Sequence, residues 1–228
     1  TVISKRTIDK AHEHFEKNSS IGAIGVRMIN GKGEFLPESK RSVPNIWSSF
    51  SRVFGLSSLF PESKIFSAYR MGHIDEFAVS DIEVLSGACM FIRVQQRELM
   101  KFDPDFFMYG EDIDLSYRIG KAGYEVLYLG NTTILHFKGE STNKKYWDYH
   151  YWFYITMLIF REKHFKGVFQ KVMNVLLVPI IWLLMVLAYL KQKTKSDIPP
   201  SNRSFAKYHV IGTITRKLRI SLDKFNRD

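Results

Sequence analysis

The chain has 228 residues, of which 45% are apolar and 25% charged, a balance that suits one substantial core and excludes a disordered chain. Its net charge of +10 points to polyanionic partners: acidic lipid, nucleic acid or a phosphate-bearing substrate. The single cysteine, Cys89, excludes an internal disulfide and fits a reducing compartment. Its neighbours Gly87, Ala88, Met90 and Phe91 mark it as a buried small hydrophobe rather than a nucleophile.

The opening TVISKRTIDKAHEHF carries charges where a signal peptide needs an apolar run, and it reads like the middle of a domain. Ile8, Ala11 and Phe15 recur at helical spacing, so residues 7–17 are predicted as a helix with Thr7 able to cap it. IGAIGVRMI reads as a buried strand. NGKG supplies a turn and EFL a short return strand, together a hairpin.

From Pro37 to about Val79 the periodicity fails. Arg41, Arg52, Lys64 and Arg70 alternate there with Trp47, Phe50, Phe54, Phe60, Phe66 and Tyr69, the composition of a lid or loop with short helices. Residues 82–94 read as one buried strand in which Gly87 lets another group approach the backbone, and QQRELM as a short helix.

FDPDFFMYGEDIDLSYRIGKAGYEV then sets acids among aromatics. Carboxylates in such surroundings are costly unless water, hydrogen bonds or a metal compensates. Asp103 and Asp105 flank Pro104 in a turn. Leu115, Arg118 and Ile119 repeat at helical spacing, with Gly123 as the stop, so Glu111 and Asp112 begin a helix. There unpaired backbone N–H groups favour negative charge, which by itself accounts for acids at that start. Asp114 points away, as a capping group. YEVLYLG and TTILHF follow as two strands, which makes the body α/β.

The last third changes character. Residues 151–171 are aromatic and basic, suited to an interfacial helix, and residues 172–190 are nearly all apolar apart from Asn174 and Pro179. At about 1.5 Å per residue, that length just reaches the roughly 30 Å of bilayer hydrocarbon. Arg161, Lys163, Lys166 and Lys171 precede it; Lys191, Lys193 and Lys195 open the basic tail of residues 191–228. Basic flanks on both sides leave two topologies open: a single span, or a helix kinked at Pro179 that re-enters or lies in the interface. Basic residues beside an apolar helix suit anionic lipid better than nucleic acid, which is not expected as a partner.

Three segments in order, LSGACMFIRV, FDPDFFMYGEDIDLSYRIGKAGYEVLYL and ILHFKGEST, resemble the C-terminal half of bacterial family-two inverting glycosyltransferases. The rhamnosyltransferase-like enzymes of surface-polysaccharide synthesis are the most similar subset. The resemblance covers about Thr1 to Thr142. It implies that residues 1–150 form the acceptor-side half of a GT-A fold, followed by a membrane-associated helical tail. It makes Asp112, preceded by Glu111, the general base for the acceptor hydroxyl. A carboxylate fixed at a helix start and bordered by Phe107 and Tyr109 can be aimed and tuned for that task.

The resemblance further implies that His136 helps hold a divalent cation, Mn²⁺ or Mg²⁺, on the donor diphosphate, with Lys138 and Ser141 touching its oxygens. Ser86, Gly87 and Ala88 would flank the acceptor pocket. Asp114, Tyr109, Trp47, Arg41, Arg52 and Arg70 would contribute to acceptor binding, the arginines drawing a lipid-linked pyrophosphate. The nucleotide-binding half with its Asp-x-Asp metal motif has no counterpart in this sequence. The chain is therefore expected to be the C-terminal portion of a longer enzyme, inactive alone, whose catalytic part faces the cytoplasm at a bacterial inner membrane. The partners implied are a nucleotide-sugar donor, a saccharide or lipid-linked saccharide acceptor, and anionic lipids. A non-catalytic membrane-anchored module keeping the same fold is the rival reading. A metal-dependent hydrolase would need more ligands at consistent spacing.

Overall fold

In chain order the elements are α1 (Lys5–Lys17), β1 (Ile21–Ile29), β2 (Lys40–Arg41), α2 (Leu56–Leu59), β3 (Val79–Asp81), β4 (Val84–Leu85), β5 (Met90–Ile92), α3 (Glu111–Lys121), β6 (Glu125–Leu135), α4 (Trp147–His164) and α5 (Val168–Lys193). They come from a computed structural model that describes residues 1–44, 56–60, 62–65, 67–94, 99, 101–137 and 147–193. The chain forms two compact units, Thr1–Lys191 and Gln192–Asp228, and beyond Lys193 the second lies outside the described residues.

The two long apolar runs β1 and β6 pair in parallel at the centre of a mixed sheet of order β3–β6–β1–β5, whose outer strands are antiparallel to their neighbours. A parallel pair needs cover on both faces, and the alternation of side chains along each strand supplies it. Ile24, Val26, Met28, Leu127 and Leu129 cluster with Ala11 of α1. Ala23, Val126 and Tyr128 cluster on the opposite face with Leu115 and Ile119 of α3. Burying each of those two α3 side chains contributes about 2 kcal/mol. The α/β architecture is as expected: helix, sheet, helix.

Several local expectations change. Helix α1 begins two residues earlier than its apolar spacing suggests, because Ser4 caps it, its Oγ accepting from Thr7 N at 3.2 Å. Thr7 and Ala11 form the buried face while Ile8 is exposed. The hairpin after β1 closes with one bridge, Ile29 to Phe35, rather than a second strand. The stretch 82–94 is not one strand: β4 leaves for a two-stranded sheet with β2, and β5 returns to β1. YEVLYLG and TTILHF fuse into the single strand β6, with an irregularity where Val26 faces Leu129 but Arg27 faces Thr133. Polar Asn131 and Thr132 hide this continuity by breaking the apolar run. Short helical turns do occur between Pro37 and Val79, at Pro37–Ser39, Leu56–Leu59 and Ala68–Arg70. QQRELM lies largely outside the described residues.

The aromatic segment is part of the domain. In α4, Tyr151 and Phe160 are buried, Trp152 packs on Phe107 (4.8 Å between centroids), and Phe160 meets Tyr117 of α3 edge-on at 5.3 Å. The break before the apolar helix falls at residues 165–167, not at 171. Helix α5 then runs unbroken through Pro179 to Lys193, so it does not double back at the proline. Its Asn174 accepts from Arg161 Nε at 2.9 Å, which explains one polar interruption. Among the described residues, no helix is long and apolar enough to cross a membrane; the side chains of 169–171, 173, 184, 185 and 187–193 are outside that description.

Two glycines test the packing. A Cβ at Gly130, in the irregular part of β6, would run into the backbone of Phe77 and Ala78 and lie 2.6 Å from Glu76 O. Gly130→Ala is expected to lower stability by about 3 kcal/mol. A Cβ at Gly120 of α3 meets nothing within 4 Å, so Gly120→Ala should raise stability by about 0.5–1 kcal/mol through helix propensity. Urea unfolding of the two variants measures both; equal effects would contradict this packing.

Candidate active site

The approach to α3 is sharply kinked. Tyr109 (φ 61°) and Gly110 (φ 105°) are both left-handed, a strained conformation for tyrosine of about 1–3 kcal/mol that drops the chain into the helix. Upstream, Phe106 N bonds Asp103 O at 3.1 Å and Asp105 N bonds Asp103 Oδ1 at 3.0 Å, the expected turn around Pro104. Lys163 of α4 pairs with Asp103 and, at 2.8 Å, with Asp105. The acids of that turn therefore anchor α4.

The acids at the start of α3 have three different fates. Asp112 turns toward β2 and the loop after β4. Its Oδ2 accepts from Arg41 Nη2 at 2.6 Å and from Gly87 N at 3.0 Å. The Arg41 and Asp112 side chains are 13% and 15% exposed. A Cβ at Gly87 would sit 3.4 Å from the Asp112 Cβ, an ordinary contact distance, so this backbone lies directly against the carboxylate side chain. Ser86, Gly87 and Ala88 form a turn, with Ala88 N bonded to Ser86 Oγ at 3.3 Å and Cys89 N to Ser86 O at 3.3 Å. This places the backbone N–H of Gly87 on the carboxylate. Burial pushes the neighbouring Cys89 thiol up to about 11, in keeping with an inert core residue.

Glu111 faces a small cavity of about 120 Å³ lined by Arg41, Tyr69, Asp112, Thr156, Met157 and Phe160 among others, Tyr109 included. Its Oε2 is buried with no hydrogen-bond partner among the described residues. Burial raises its pKa above the ordinary glutamate value, and the Asp112 charge adds to this; its own backbone N–H and Arg41 oppose it and lose.

Asp114 corrects the sequence reading. It does not point outward as a capping or acceptor-side group but is 0% exposed, held by Arg118 Nε at 2.7 Å and His164 Nε2 at 2.6 Å. Arg118 also donates to Leu99 O and Lys101 O. The i,i+4 spacing of Asp114 and Arg118 was available in the sequence; His164, 50 residues away, was not.

Arg41 is already engaged within the chain. The sequence suggests a basic group waiting for pyrophosphate, but its guanidinium is held by Asp112, Leu85 O (2.9 Å) and Tyr69 Oη (3.4 Å). Burial works against its charge, yet Asp112 and Tyr69 more than offset that and raise its pKa. Arg70 is exposed at the end of a helical turn. Trp47, Arg52, Lys138 and Ser141 lie outside the described residues.

His136 follows β6, with its N bonded to Ile29 O at 2.8 Å. Its Nδ1 lies 2.8 Å from Thr1 Oγ1, which in turn reaches Ala88 O at 3.4 Å. Val2 bridges Leu135, so the N-terminal residues lie against this edge. Asp112, Gly87, Ala88, Thr1 and His136 thus form one connected rim. No feature of TVISKR signalled that Thr1 belongs there. Among the described residues no three His, Cys, Asp or Glu side chains gather to hold a metal. The described residues do not by themselves fit the divalent cation.

The chain is 30% identical over 124 residues to two curated proteins of Mycobacterium tuberculosis, from strains CDC 1551 / Oshkosh and ATCC 25618 / H37Rv. Each is named N-acetylglucosaminyl-diphospho-decaprenol L-rhamnosyltransferase. The similar stretch is 54% of this chain and 39% of each relative, so the chain spans well under half the length of the curated proteins it matches. No protein-family model matches it, and no solved structure does. The similarity supports the glycosyltransferase resemblance in general terms.

The raised Glu111 pKa has a pH signature. The folded state binds this proton more tightly than the unfolded state, so stability falls as pH rises from the ordinary glutamate range through the folded value. Glu111→Gln removes that loss. The variant is expected to gain stability over wild type between about pH 4 and pH 7, measured by urea unfolding at both. A stability difference that does not change with pH would contradict the assignment.

Proposed function

We propose that this chain is the acceptor-side part of an inverting glycosyltransferase that transfers a sugar from a nucleotide-activated donor to a lipid-linked saccharide. The observation that carries the reading is the Asp112 carboxylate, fixed at a helix start and linked through Gly87, Ala88 and Thr1 to His136 at the end of β6. The activity named for the Mycobacterium tuberculosis relatives supports the class of reaction and suggests a polyprenyl-diphosphate saccharide as acceptor and rhamnose as the sugar.

Asp112 Oδ1 takes the proton of the acceptor hydroxyl. The hydroxyl oxygen attacks the anomeric carbon from the face opposite the nucleotide. A carbon–oxygen bond forms, the bond to the donor phosphate breaks, and its electron pair leaves with the nucleoside diphosphate. Gly87 N–H keeps the carboxylate aligned, since base catalysis requires hydrogen-bond reach. A divalent cation on the leaving diphosphate would need ligands other than the described residues. We place the donor-binding residues outside this sequence as well, and expect negligible turnover from the chain alone.

One observation favours a second reading. A carboxylate already paired with a buried arginine is what a non-catalytic module keeping the fold would also retain. Asp112→Asn in the full-length protein separates the two. It should cut kcat by about three orders of magnitude or more with little change in donor or acceptor binding, followed by radiolabelled sugar transfer. Undiminished transfer would remove Asp112 from the chemistry.

We further propose attachment to an anionic membrane at the cytoplasmic side of a bacterial inner membrane. On α5, Val172, Val175, Leu176, Ile180, Leu183 and Val186 form an exposed apolar stripe at helical spacing. Lys166 precedes the helix and Lys191 and Lys193 close it. The chain is expected to pellet with phosphatidylglycerol vesicles, less so as salt rises, and not to bind duplex DNA. Salt-sensitive DNA binding without vesicle binding would reverse this assignment.

A further inference from the structure

The Arg41 guanidinium has a geometry that acceptor binding does not require. It projects from β2, where Arg41 pairs with Val84, and its Nη2 bonds at once to Leu85 O (2.9 Å) and Asp112 Oδ2 (2.6 Å). Nη1 reaches Tyr69 Oη at 3.4 Å. Backbone and phenol therefore fix the guanidinium before it meets the carboxylate. From the other side, Gly87 N donates to the same Oδ2 at 3.0 Å. A carboxylate oxygen has two lone pairs in its plane, and both are now used. Two donors on one oxygen fix the carboxylate plane as well as its position. Among the described residues none donates a hydrogen bond to Oδ1, so the clamp decides which oxygen is left for a proton. A buried, charge-assisted pair of this kind is short, directional and costly to break.

We propose that Arg41 is a positioning residue for Asp112 rather than an anchor for acceptor phosphate: it occupies Oδ2 and presents Oδ1 to the acceptor hydroxyl. The inference rests on the reading of Asp112 as general base. Lysine is a poor substitute, because a single ammonium point charge cannot reproduce the planar fork that spans Leu85 O, Tyr69 and Asp112.

The test compares Arg41→Met, Arg41→Lys, Asp112→Asn and the Arg41→Met/Asp112→Asn pair in the full-length protein. The probes are dTDP-rhamnose as donor and N-acetylglucosaminyl-diphospho-decaprenol as acceptor. Misaiming a base by about 1 Å costs on the order of 100-fold in rate. Arg41→Met should therefore lower kcat by about that factor while acceptor KM stays within about threefold. It should cost nothing further in the Asp112→Asn background, since the two residues act as one unit. Arg41→Lys is expected to fall between wild type and Arg41→Met; if Arg41→Met does not fold, the lysine variant carries the same kcat-against-KM comparison. A rise in acceptor KM at unchanged kcat would overturn the proposal and return Arg41 to acceptor binding. An undiminished Arg41→Met effect in the Asp112→Asn background would overturn it too. No transfer by the wild-type full-length protein would instead sink the transferase reading, and this inference with it.

Discussion

The parallel pairing of β1 with β6 is the constraint on which the rest of this structure depends. Parallel neighbours cannot be joined by a tight turn, so the chain between them must cross over, and that crossover carries β2 to β5 and α3. Both faces of the pair need apolar cover, which α1 and α3 provide. Since α3 leads directly into β6, its N-terminus lies toward the carboxyl end of that strand. In open α/β sheets the carboxyl ends of parallel strands are where ligands bind. The start of α3 and the end of β6 thus meet on one rim, with Asp112 from the first and His136 from the second joined through Gly87, Ala88 and Thr1.

On α3, two carboxylates a little over half a turn apart do opposite work. Asp112 faces the strand ends and meets a guanidinium fixed by backbone. Asp114 faces inward and, through His164 and Arg118, ties α3 to α4 and to the loop before it. Buried ion pairs add little net stability against an apolar alternative, because desolvation offsets their attraction. Their value lies in specificity: each removes orientations that an apolar contact would leave open. Lys163 with Asp103 and Asp105 adds a second tie. The orientation of the site and the docking of the aromatic helix are consequently one problem, solved by the same short helix.

That coupling matters for the tail. Helix α4 buries Tyr151 and Phe160 in the domain, while α5, after the break at residues 165–167, keeps an apolar stripe in the open. A membrane-attached helix so placed would be one short connection from the helix that Asp114 holds. In the proposed membrane-attached arrangement, the positive charge of the chain would face anionic headgroups.

Periodicity and composition were enough to identify α1, β1, α3 and the bulk of β6, because those elements bury one face or two and their apolar spacing records it. The start of α3 at Glu111 and Asp112 was legible for the same reason, as was the turn at Pro104. The division of residues 82–94 into β4 and β5 was not, since apolar residues do not record where a strand changes sheets. Nor was the fusion across Gly130, where the ladder is irregular. The sequence determined that a carboxylate would stand at a helix start in a basic α/β protein with an apolar helix beyond. Only the tertiary structure decided that Arg41, 71 residues away, clamps that carboxylate and that Asp114 turns inward to His164. Polar partners distant in sequence leave no period, because a hydrogen bond constrains distance and angle in space and imposes nothing on the spacing between the two residues along the chain.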